Sequence, residues 1–305
     1  MINRFWSISF PVLLSAFALV SIGSPSFSSA QAASASTSPL HRQYRDGERL
    51  VYHMKGINET WHYEINAEGL VKKNAVGQFF EEYQWTHMTS GGQPVPLTVS
   101  AADYRQRLTL DPEQMPSAPD LTRVDPKMIG PVTDMMTFYA DLWLANKLGV
   151  LKKAGDHVYF RNPMPPSSWA DGTHVLVGED AIDFDITLKS VDAVAGTAIV
   201  EVKHVPPDNS ALPLKTAWMR EPVGAGTNNW VQIVKDANGK YTAGVGLETF
   251  IVEMTVSLAD GHLVSATMEN PVTTIERVCD DEALTKCGDA KRHDIVRKIE
   301  IAMTQ

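Results

Sequence analysis

One carboxylate lies within the densest aromatic stretch of this sequence and could act as a general acid. The stretch, 78–88, alternates apolar and polar residues as a half-buried strand does. A carboxyl group in dry surroundings is either paired or has a raised pKa, because burial penalises its charged form. Glu81 is therefore the candidate catalytic residue, although a β-bulge or a face open to water would leave it ordinary. The residues that share its predicted face are Phe79, Tyr83, Trp85 and His87.

Two histidines of a predicted hairpin could hold a metal ion. A register with Tyr52 opposite Tyr63 gathers the large apolar side chains on one face of the hairpin. The same register places His53 opposite His62 on the other face, with Glu64 two residues farther along. Directly opposed Cβ atoms are roughly 5 Å apart, so these three side chains could bind a divalent cation. Two solvated strand histidines are the alternative.

A second pair of carboxylates, Asp134 and Asp141, lies in a predicted helix. Seven residues bring them to within about 20° around the helix axis but separate them by about 10.5 Å along it. This distance exceeds the roughly 5–9.5 Å between the carboxyl groups of glycosidases, so a solvated face or an interaction with the helix dipole is predicted instead. The sequence holds no nucleophile-elbow, phosphate-loop, dinucleotide-binding or zinc-protease motif.

The helix itself is predicted over 129–149 and gives the strongest long helical signal in the chain. Pro131 suits its first turn, where a missing N–H does no harm, and Gly149 suits the residue just past its end. An amphipathic helix is expected, with an apolar stripe against a sheet and a polar side towards solvent. The stripe consists of Val132, Met135, Met136, Tyr139, Leu142 and Trp143, and the polar side of Thr133, Asp134, Thr137 and Asp141.

The remainder of the chain is predicted to form strands. Period-two alternation recurs along it, and the turn pairs Asn238-Gly239 and Asp260-Gly261 are typical of β-hairpins. The expected fold is mainly β (α+β). It is a curved antiparallel sheet or half-open barrel of about ten to twelve strands with one long amphipathic helix.

The start of the chain indicates export. Arg4 precedes a short apolar run, and an Ala-Gln-Ala sequence offers a small-residue cleavage site. We predict a signal peptide at 1–32, a flexible segment at 33–47 and a single β-rich domain at 48–305, exported to the periplasm or the extracellular space. Long Pro-rich loops, the best candidates for a lid, are predicted at 111–131, 161–172 and 205–229.

Composition limits the partners. The net charge of −9 argues against nucleic acid or an anionic membrane as the main partner. Once the signal peptide is removed, no segment is apolar enough to span a membrane. No cofactor is predicted, and no particular protein partner is indicated.

The two cysteines, Cys279 and Cys287, are predicted to form a disulfide, since exported compartments are oxidising. Such a bridge would close a short loop and steady a turn. A metal site is the alternative, but no further His or Cys lies close enough in sequence to complete a set of four ligands.

This pattern of elements resembles the half-open β-barrels of the periplasmic lipoprotein-carrier (LolA/LolB-like) superfamily, in which a curved sheet wraps a helical lid over an apolar cavity. The resemblance implies a lipid or another apolar ligand. In addition, the stretches 51–56, 130–143 and 168–172, the last followed by 182–188, are similar to uncharacterised secreted bacterial proteins. That second likeness implies no activity.

The leading hypothesis is an exported, non-enzymatic binding module for a lipid or another apolar ligand. Met and aromatic side chains suit such a cavity because they are polarisable and adaptable, although they would equally fill a solid core. One alternative is a metal-assisted or carboxylate-dependent hydrolase. Another is a cell-envelope scaffold or protein-interaction domain that uses the loops around Trp169 and Trp218. The predicted ligand-binding residues are Tyr52, Met54, Trp61, Tyr63, Phe79, Tyr83, Trp85, Met135, Tyr139 and Trp143.

Overall fold

Most of the chain forms one antiparallel sheet. The computed structural model describes residues 38–58, 61–97, 105–110, 128–161, 167–170, 175–179 and 182–304. These ranges contain fifteen strands and two helices, and every pairing between the strands is antiparallel. The predicted mainly β fold with an open antiparallel sheet is confirmed.

Consecutive strands often pair as hairpins, but several neighbours in the sheet, such as the first strand and the last, are far apart in the chain. In chain order the elements are β1 (Arg49–Asn58), β2 (Trp61–Lys73), β3 (Phe79–Ser90), β4 (Gln93–Pro94), β5 (Gln106–Thr109), α1 (Ile129–Lys147), β6 (His157–Phe160), β7 (Ser167–Ala170), β8 (Val175–Glu179), β9 (Asp183–Asp192), β10 (Thr197–Val205), α2 (Ala217–Arg220), β11 (Trp230–Lys235), β12 (Tyr241–Glu248), β13 (Phe250–Ser257), β14 (Leu263–Cys279) and β15 (Lys291–Thr304). The strands β4 to β8 have two to five residues each, which is too few for alternation to reveal them in the sequence.

The sheet divides along strand β14, which is 17 residues long. One edge of β14 pairs with β15, whereas its other edge pairs first with β13 and then with β12. The change of neighbour falls at Asn270 and Pro271, and proline suits this point because it has no N–H to donate to a ladder. The first lobe runs β3-β2-β1-β15-β14-β13-β10-β9-β6, and the second runs β14-β12-β11-β8-β7.

Each lobe has its own apolar core. The core of the first lobe lies between its strands and α1, and it includes side chains from every long strand of that lobe. The core of the second lobe is smaller and is completed by the segment 205–229, which contributes Leu212, Met219 and Val223. This Pro-rich segment, predicted as a loop and a candidate lid, therefore packs onto the second lobe. Cys279 and Cys287 form the predicted disulfide beside the same core.

The helix predicted over 129–149 is found at Ile129–Lys147, and Gly149 follows it with a φ of +63°. Its amphipathic character was predicted wrongly. Every residue from 131 to 145 except Trp143 is buried, so the helix has no solvent side. The polar residues that were expected to face water are instead satisfied inside the protein. The Thr133 and Thr137 hydroxyls donate to the carbonyls of Gly130 and Thr133, at 2.8 and 3.1 Å.

The β1–β2 hairpin has a different register from the predicted one. Tyr52 lies opposite Ala67, and Tyr63 lies opposite Gly56. The pairing continues to Asn58 and Trp61, so each residue of β1 pairs with a residue of β2 four positions farther along the chain than predicted. Position 56 requires glycine for a steric reason, because a Cβ there would lie 2.1 Å from the Tyr63 ring. The shift is an even number of residues, so the predicted inward face is still the buried one.

The segment predicted as flexible, 33–47, is described from Ser38 onwards and is packed against the first lobe. Leu40 is fully buried, the Ser38 hydroxyl donates to the Leu151 carbonyl at 3.2 Å, and the Gln43 N–H donates to the Asp260 carbonyl at 2.7 Å. The predicted signal peptide and most of the 111–131 loop lie outside the described residues. In the part of the chain that the structure describes, no helix is long and apolar enough to cross a membrane.

Candidate functional site

A pocket of about 430 Å³ opens at one end of α1, where the helix, the sheet and the N-terminal segment, residues 38–48, meet. Most of its wall is apolar. The residues that contribute the wall are Leu40, His41, Arg42, Gln43 and Tyr44 from the N-terminal segment, Tyr139, Leu142, Trp143 and Asn146 from α1, and Leu50, Gly77, Gln78, Phe79, Thr109, Leu110, Leu263 and Met303 from the sheet and its loops.

The helix presents one face to the pocket. Tyr139, Trp143 and Asn146 follow one another at spacings of four and three residues, which places them on the same side of a helix. Leu142, which also lines the pocket, lies within the stripe predicted from the sequence. The helical period therefore determines which side of α1 faces the pocket. The sequence did not reveal which residues of the predicted apolar stripe would line an open space.

The N-terminal segment forms the opposite wall and is held there by charge. The Arg42 guanidinium pairs with the Glu48 carboxylate at 2.6 Å and lies 3.7 Å from the Asp260 carboxylate. The same guanidinium stacks 4.6 Å from the centre of the Tyr44 ring, which in turn lies 5.9 Å from the Phe79 ring. Arg42 thereby orders the segment, and its own charge is balanced by the Glu48 and Asp260 carboxylates.

Only some of the predicted ligand-binding residues line this pocket. Phe79, Tyr139 and Trp143 do so. The side chain of Trp61 lies outside the described residues. The others form the closed core of the first lobe, where Tyr83 and Trp85, for example, meet edge to face at 5.9 Å. The residues in that core are Tyr52, Met54, Tyr63, Tyr83, Trp85 and Met135.

Sequence reasoning missed the contribution of the N-terminal segment. Leu40 and Tyr44 stand four residues apart just after the predicted leader, and this spacing is the one local signal of a packed segment. Their contacts with the sheet join residues that are far apart in the chain, as the Tyr44–Phe79 ring contact shows. Alternation within one strand cannot reveal such a contact.

Glu81 is fully buried beneath the pocket and forms a cluster with two tyrosine hydroxyls. The Tyr52 hydroxyl donates to Oε1 of Glu81 at 2.7 Å, and the Tyr139 hydroxyl donates to Oε2 at 3.2 Å. The hydroxyls of Tyr52 and Tyr139 also contact each other. Gly69 makes room for the carboxyl group, because a Cβ at this position would lie 1.9 Å from Oε1. Glu81 thus connects β3, β1 and α1.

Burial raises the pKa of Glu81 to about 7, although hydrogen bonds from Tyr52 and Tyr139 and the charge of Arg42 act in the opposite direction. The predicted desolvated carboxyl group is therefore present. It does not itself line the pocket, where the ring of Tyr139 is the nearest member of the cluster. A hydrolase that used Glu81 would have to expose the carboxyl group first.

His87, predicted on the face of Glu81, is exposed. Trp85 pairs with Ala67 and His87 pairs with Asn66, so Thr86 is an extra residue in β3 and forms a bulge. The bulge turns His87 to the outer face and places Met88 in the core.

The three predicted metal ligands are not brought together. Nδ1 of His53 lies 2.6 Å from Oδ1 of Asn66, His62 lies opposite Ile57, and Glu64 pairs with Lys55 at 3.4 Å. The register of the hairpin is the reason, because His53 and His62 are not opposed in it. Within the described ranges no group of three or more His, Cys, Asp or Glu side chains is placed to hold a metal ion.

A second buried polar cluster joins α1 to the point where the sheet divides. Arg297 of β15 binds both carboxylate oxygens of Asp134, at 2.9 and 3.0 Å, and donates to Oδ1 of Asn270 at 3.0 Å. Asn270 in turn donates to Oε1 of Glu248 at 3.0 Å, and the Tyr63 hydroxyl donates to Asp134 at 3.2 Å. Burial raises the pKa of Asp134 and of Glu248, against the lowering effect of Arg297.

Asp141 is likewise buried rather than solvated, and its partner is His204 of β10. Nε2 of His204 lies 2.9 and 3.0 Å from the two carboxylate oxygens. The imidazole ring lies between Phe184 and Phe250, at centroid distances of 4.9 and 5.0 Å. Asp134 and Asp141 therefore anchor the helix to two different strands, which periodicity alone did not predict.

The tryptophans proposed for a docking surface are only partly described. Trp218 of α2 donates its indole N–H to the Leu284 carbonyl at 3.2 Å and contacts the core of the second lobe. The guanidinium of Arg277 lies 5.4 Å from its ring. Trp218 is thus engaged within the protein. Trp169 lies in β7, and its side chain lies outside the described residues.

The chain matches no protein-family model, and no curated protein is significantly similar to it.

Two arrangements define its candidate site. One is the mainly apolar pocket at the end of α1, and the other is the Glu81 cluster directly behind the Tyr139 ring. Together they form a space suited to an apolar molecule, above a floor whose polar groups are already hydrogen-bonded to each other.

Proposed function

We propose that this chain is an exported binding module for an apolar small molecule, which lies in the pocket between the N-terminal segment, α1 and the sheet. The observation that carries the proposal is the pocket itself. Its volume of about 430 Å³ falls within the roughly 300–1,000 Å³ of small-molecule sites. Its wall combines aliphatic and aromatic side chains with a smaller polar part, as such sites do.

The polar groups of the wall favour an apolar ligand over a charged one. Arg42 is paired with Glu48 and has Asp260 beside it, so it offers little net charge to a ligand. The Tyr139 hydroxyl is directed towards Glu81 and Tyr52, away from the open space. Most of the remaining wall is hydrocarbon and aromatic surface, so burial of a ligand's apolar area is the driving force for binding.

We extend the proposal to a ligand of lipid type and to a location outside the cytoplasm. An open antiparallel sheet packed on a long helix agrees with the resemblance to lipoprotein-carrier half-barrels. The disulfide between Cys279 and Cys287 is of the kind that persists in oxidising compartments. The predicted signal peptide at 1–32 supports the same location.

Two measurements test the proposal. Native mass spectrometry of the protein purified from its own host is expected to show a co-purified molecule of constant mass, and titration with a fluorescent fatty acid is expected to show saturable uptake. Absence of both would count against a carrier of apolar ligands.

A pair of variants assigns the uptake to this pocket. Asn146→Trp places a large ring in the space, and because Asn146 is only partly buried, the fold should tolerate it. The control is Lys147→Trp, the next residue of the helix, which is exposed and does not line the pocket. Uptake should be lost in the first variant and kept in the second. Equal uptake by both variants would place the ligand elsewhere.

A further inference from the structure

The Glu81 cluster contains more hydrogen-bond contacts than an ionised carboxylate can supply with protons. Glu81, Tyr52 and Tyr139 make three mutual oxygen–oxygen contacts, one along each side of a triangle. Each contact needs one proton. Two tyrosine hydroxyls supply two protons, and an ionised carboxylate supplies none because it is only an acceptor. The third proton has to come from Glu81 itself.

A protonated Glu81 satisfies all three contacts. Tyr52 donates to Oε1 of Glu81, and Tyr139 donates to Tyr52. The protonated Oε2 then donates to Tyr139, whereas towards an ionised carboxylate Tyr139 has to be the donor. The reverse direction around the ring satisfies the same three contacts. In either direction each group donates once and accepts once, which is the full satisfaction that buried polar groups require.

The surroundings of Glu81 favour its neutral form. The carboxyl group is fully buried, and no ion pair to it occurs among the described residues. The charged groups nearest to it lie on the N-terminal segment and oppose each other, since Arg42 favours the ionised form and Glu48 the neutral form. That segment also supplies Tyr44, while β1 and α1 supply Tyr52 and Tyr139.

The residues of the neighbouring strands that pair directly with Glu81 are not titratable. The residues paired with Glu81 are Val71 of β2 and Leu108 of β5, both apolar and buried. A buried charge without a counter-ion is strongly unfavourable, whereas a hydrogen-bonded neutral acid is not.

We propose that Glu81 is held as an uncharged carboxylic acid that closes this hydrogen-bond ring, and that its ionisation displaces Tyr139 and releases the ligand from the pocket. The release of the ligand rests on the proposed function. On ionisation the Oε2–H bond breaks, its electron pair stays on the carboxylate, and the proton passes to water. Both tyrosine hydroxyls then turn to the carboxylate, so that the contact between their oxygens has no proton and becomes repulsive.

Tyr139 is the group that moves. Tyr52 is completely enclosed in the sheet, whereas Tyr139 is 9 % exposed and its ring forms part of the pocket wall. The open space of the pocket is the direction in which the ring can yield. Proton release at Glu81 and occupancy of the pocket are therefore mutually exclusive, and each one opposes the other by linkage.

The first experiment reads the proton directly and needs no ligand. The protein is labelled with ¹³C at its glutamate carboxyl groups, and the signal missing from Glu81→Gln is assigned to Glu81. We expect this signal to remain that of a carboxylic acid to about pH 6, while exposed glutamates ionise near about pH 4.3. Ionisation of Glu81 together with the exposed glutamates would overturn the ring.

The second experiment uses the uncharged fluorophore N-phenylnaphthylamine, whose own charge does not change between about pH 6 and about pH 8.5. Glu81→Gln reproduces the neutral ring, because its amide donates to one tyrosine and accepts from the other. The wild type should lose about tenfold or more in affinity across this range, as expected for coupling to about one pKa unit, and Glu81→Gln should lose less than about twofold. Glu82→Gln, on the opposite face beside Lys72, should follow the wild type.

The outcomes separate the two proposals. Equal loss of affinity in the wild type and Glu81→Gln would overturn the coupling while leaving the binding function in place. Failure of every variant to bind the fluorophore at either pH would contradict the binding function and the coupling with it. The carboxyl titration of the wild type would then still decide the protonation of Glu81, since it depends neither on a ligand nor on the folding of a variant.

Discussion

Arg297 of β15 binds both carboxylate oxygens of Asp134 on α1, and this pair joins the long helix to the strand beside the division of the sheet. The Asp134 side chain is buried, with 5 % exposure, and the Arg297 side chain is largely enclosed, with 12 % exposure. A buried charge pair of this kind adds little stability over a well-packed apolar pair, but removing one partner leaves the other charge buried alone. The pair therefore specifies where the helix docks.

Replacing Arg297 by Met should lower the free energy of unfolding by roughly 3–5 kcal/mol, because Asp134 would then be buried without a counter-ion. Burial already raises the pKa of Asp134, and loss of Arg297 would raise it further. A carboxyl group whose pKa is raised by folding stabilises the folded protein at low pH, and this stabilisation is lost as the pH rises. Acidification should therefore partly rescue the variant.

Urea unfolding at two pH values measures this effect. The matched control is Lys298→Met, the next residue of β15, whose exposed ion pair with Glu269 at 2.9 Å should contribute less than about 1 kcal/mol. Equal destabilisation by the two variants would show that Asp134 does not depend on Arg297.

The raised pKa of Glu81 predicts a specific dependence of the free energy of unfolding on pH. Its folded-state pKa of about 7 is above the ordinary value of 4.5, so the folded protein holds this proton more tightly than the unfolded chain. The stability that results is fully present below about pH 4.5 and is lost as the pH rises through about 7. Across that window the wild type should lose roughly 3 kcal/mol relative to Glu81→Gln, which carries no titrating group.

Denaturant unfolding of the two proteins across this window gives the difference directly. Glu82→Gln is the control, because Glu82 lies on the other face of β3 and pairs with Lys72 at the surface. Parallel curves for the wild type and Glu81→Gln would mean that the pKa of Glu81 is the same in the folded and the unfolded protein.

The sequence predicts which faces of the strands are buried but not how the strands are paired. Alternation in β1 and β2 identifies the inward residues correctly, because a shift of register by an even number leaves the faces unchanged. The register itself depends on the turn between Asn58 and Trp61 and on Gly56, over which the Tyr63 ring lies. These are contacts between strands, which the pattern within one strand does not contain.

Helical periodicity predicts the position of α1 correctly but not the residues that surround it. Asp134 and Asp141 look like residues of a solvent face until Arg297 and His204, both more than 60 residues away in the chain, are placed beside them. The pocket was missed for a similar reason, since its N-terminal wall comes from a segment that carries no regular pattern. Glu81 could be predicted because a carboxylate among rings is a local signal.

Removing the disulfide should weaken the second lobe and leave the first lobe unchanged. Cys279 and Cys287 are eight residues apart, and closing so short a loop contributes roughly 2–3 kcal/mol in the chain-entropy description. The bridge lies against the core that Leu284 and Met219 help to form. Faster amide exchange is therefore expected in β11 and β12 of the Cys279→Ala/Cys287→Ala variant than in the wild type.

Hydrogen exchange followed by mass spectrometry resolves the two lobes. Strands β1 and β2 serve as the internal reference, because they lie in the first lobe. A reducing agent should reproduce the effect in the wild type and add nothing in the double variant. Uniform acceleration over both lobes would indicate that the two unfold together.

Alanine substitutions at two hairpin glycines test whether the N-terminal segment forms a wall of the pocket. Gly261 and Gly239 both have left-handed φ angles, +72° and +81°, so an alanine at either position pays a similar backbone strain of about 1–2 kcal/mol. A Cβ at Gly239 meets open space, whereas a Cβ at Gly261 would lie 2.3 Å from the His41 carbonyl oxygen. Backbone atoms cannot yield as the end of a side chain can, so Gly261→Ala must displace the segment that carries Leu40 and Tyr44.

Gly261→Ala should therefore weaken uptake of the fluorescent fatty acid at least about tenfold, corresponding to roughly 1.4 kcal/mol of lost binding energy, while Gly239→Ala should bind as the wild type does. Thermal unfolding of both variants corrects for the strain that they share. Unchanged uptake by Gly261→Ala, with the displacement of Tyr44 confirmed by its ring signals in NMR, would show that the ligand does not depend on this wall. Loss of uptake in Gly261→Ala alone would locate the ligand between the segment and α1, since the two substitutions differ in that one contact.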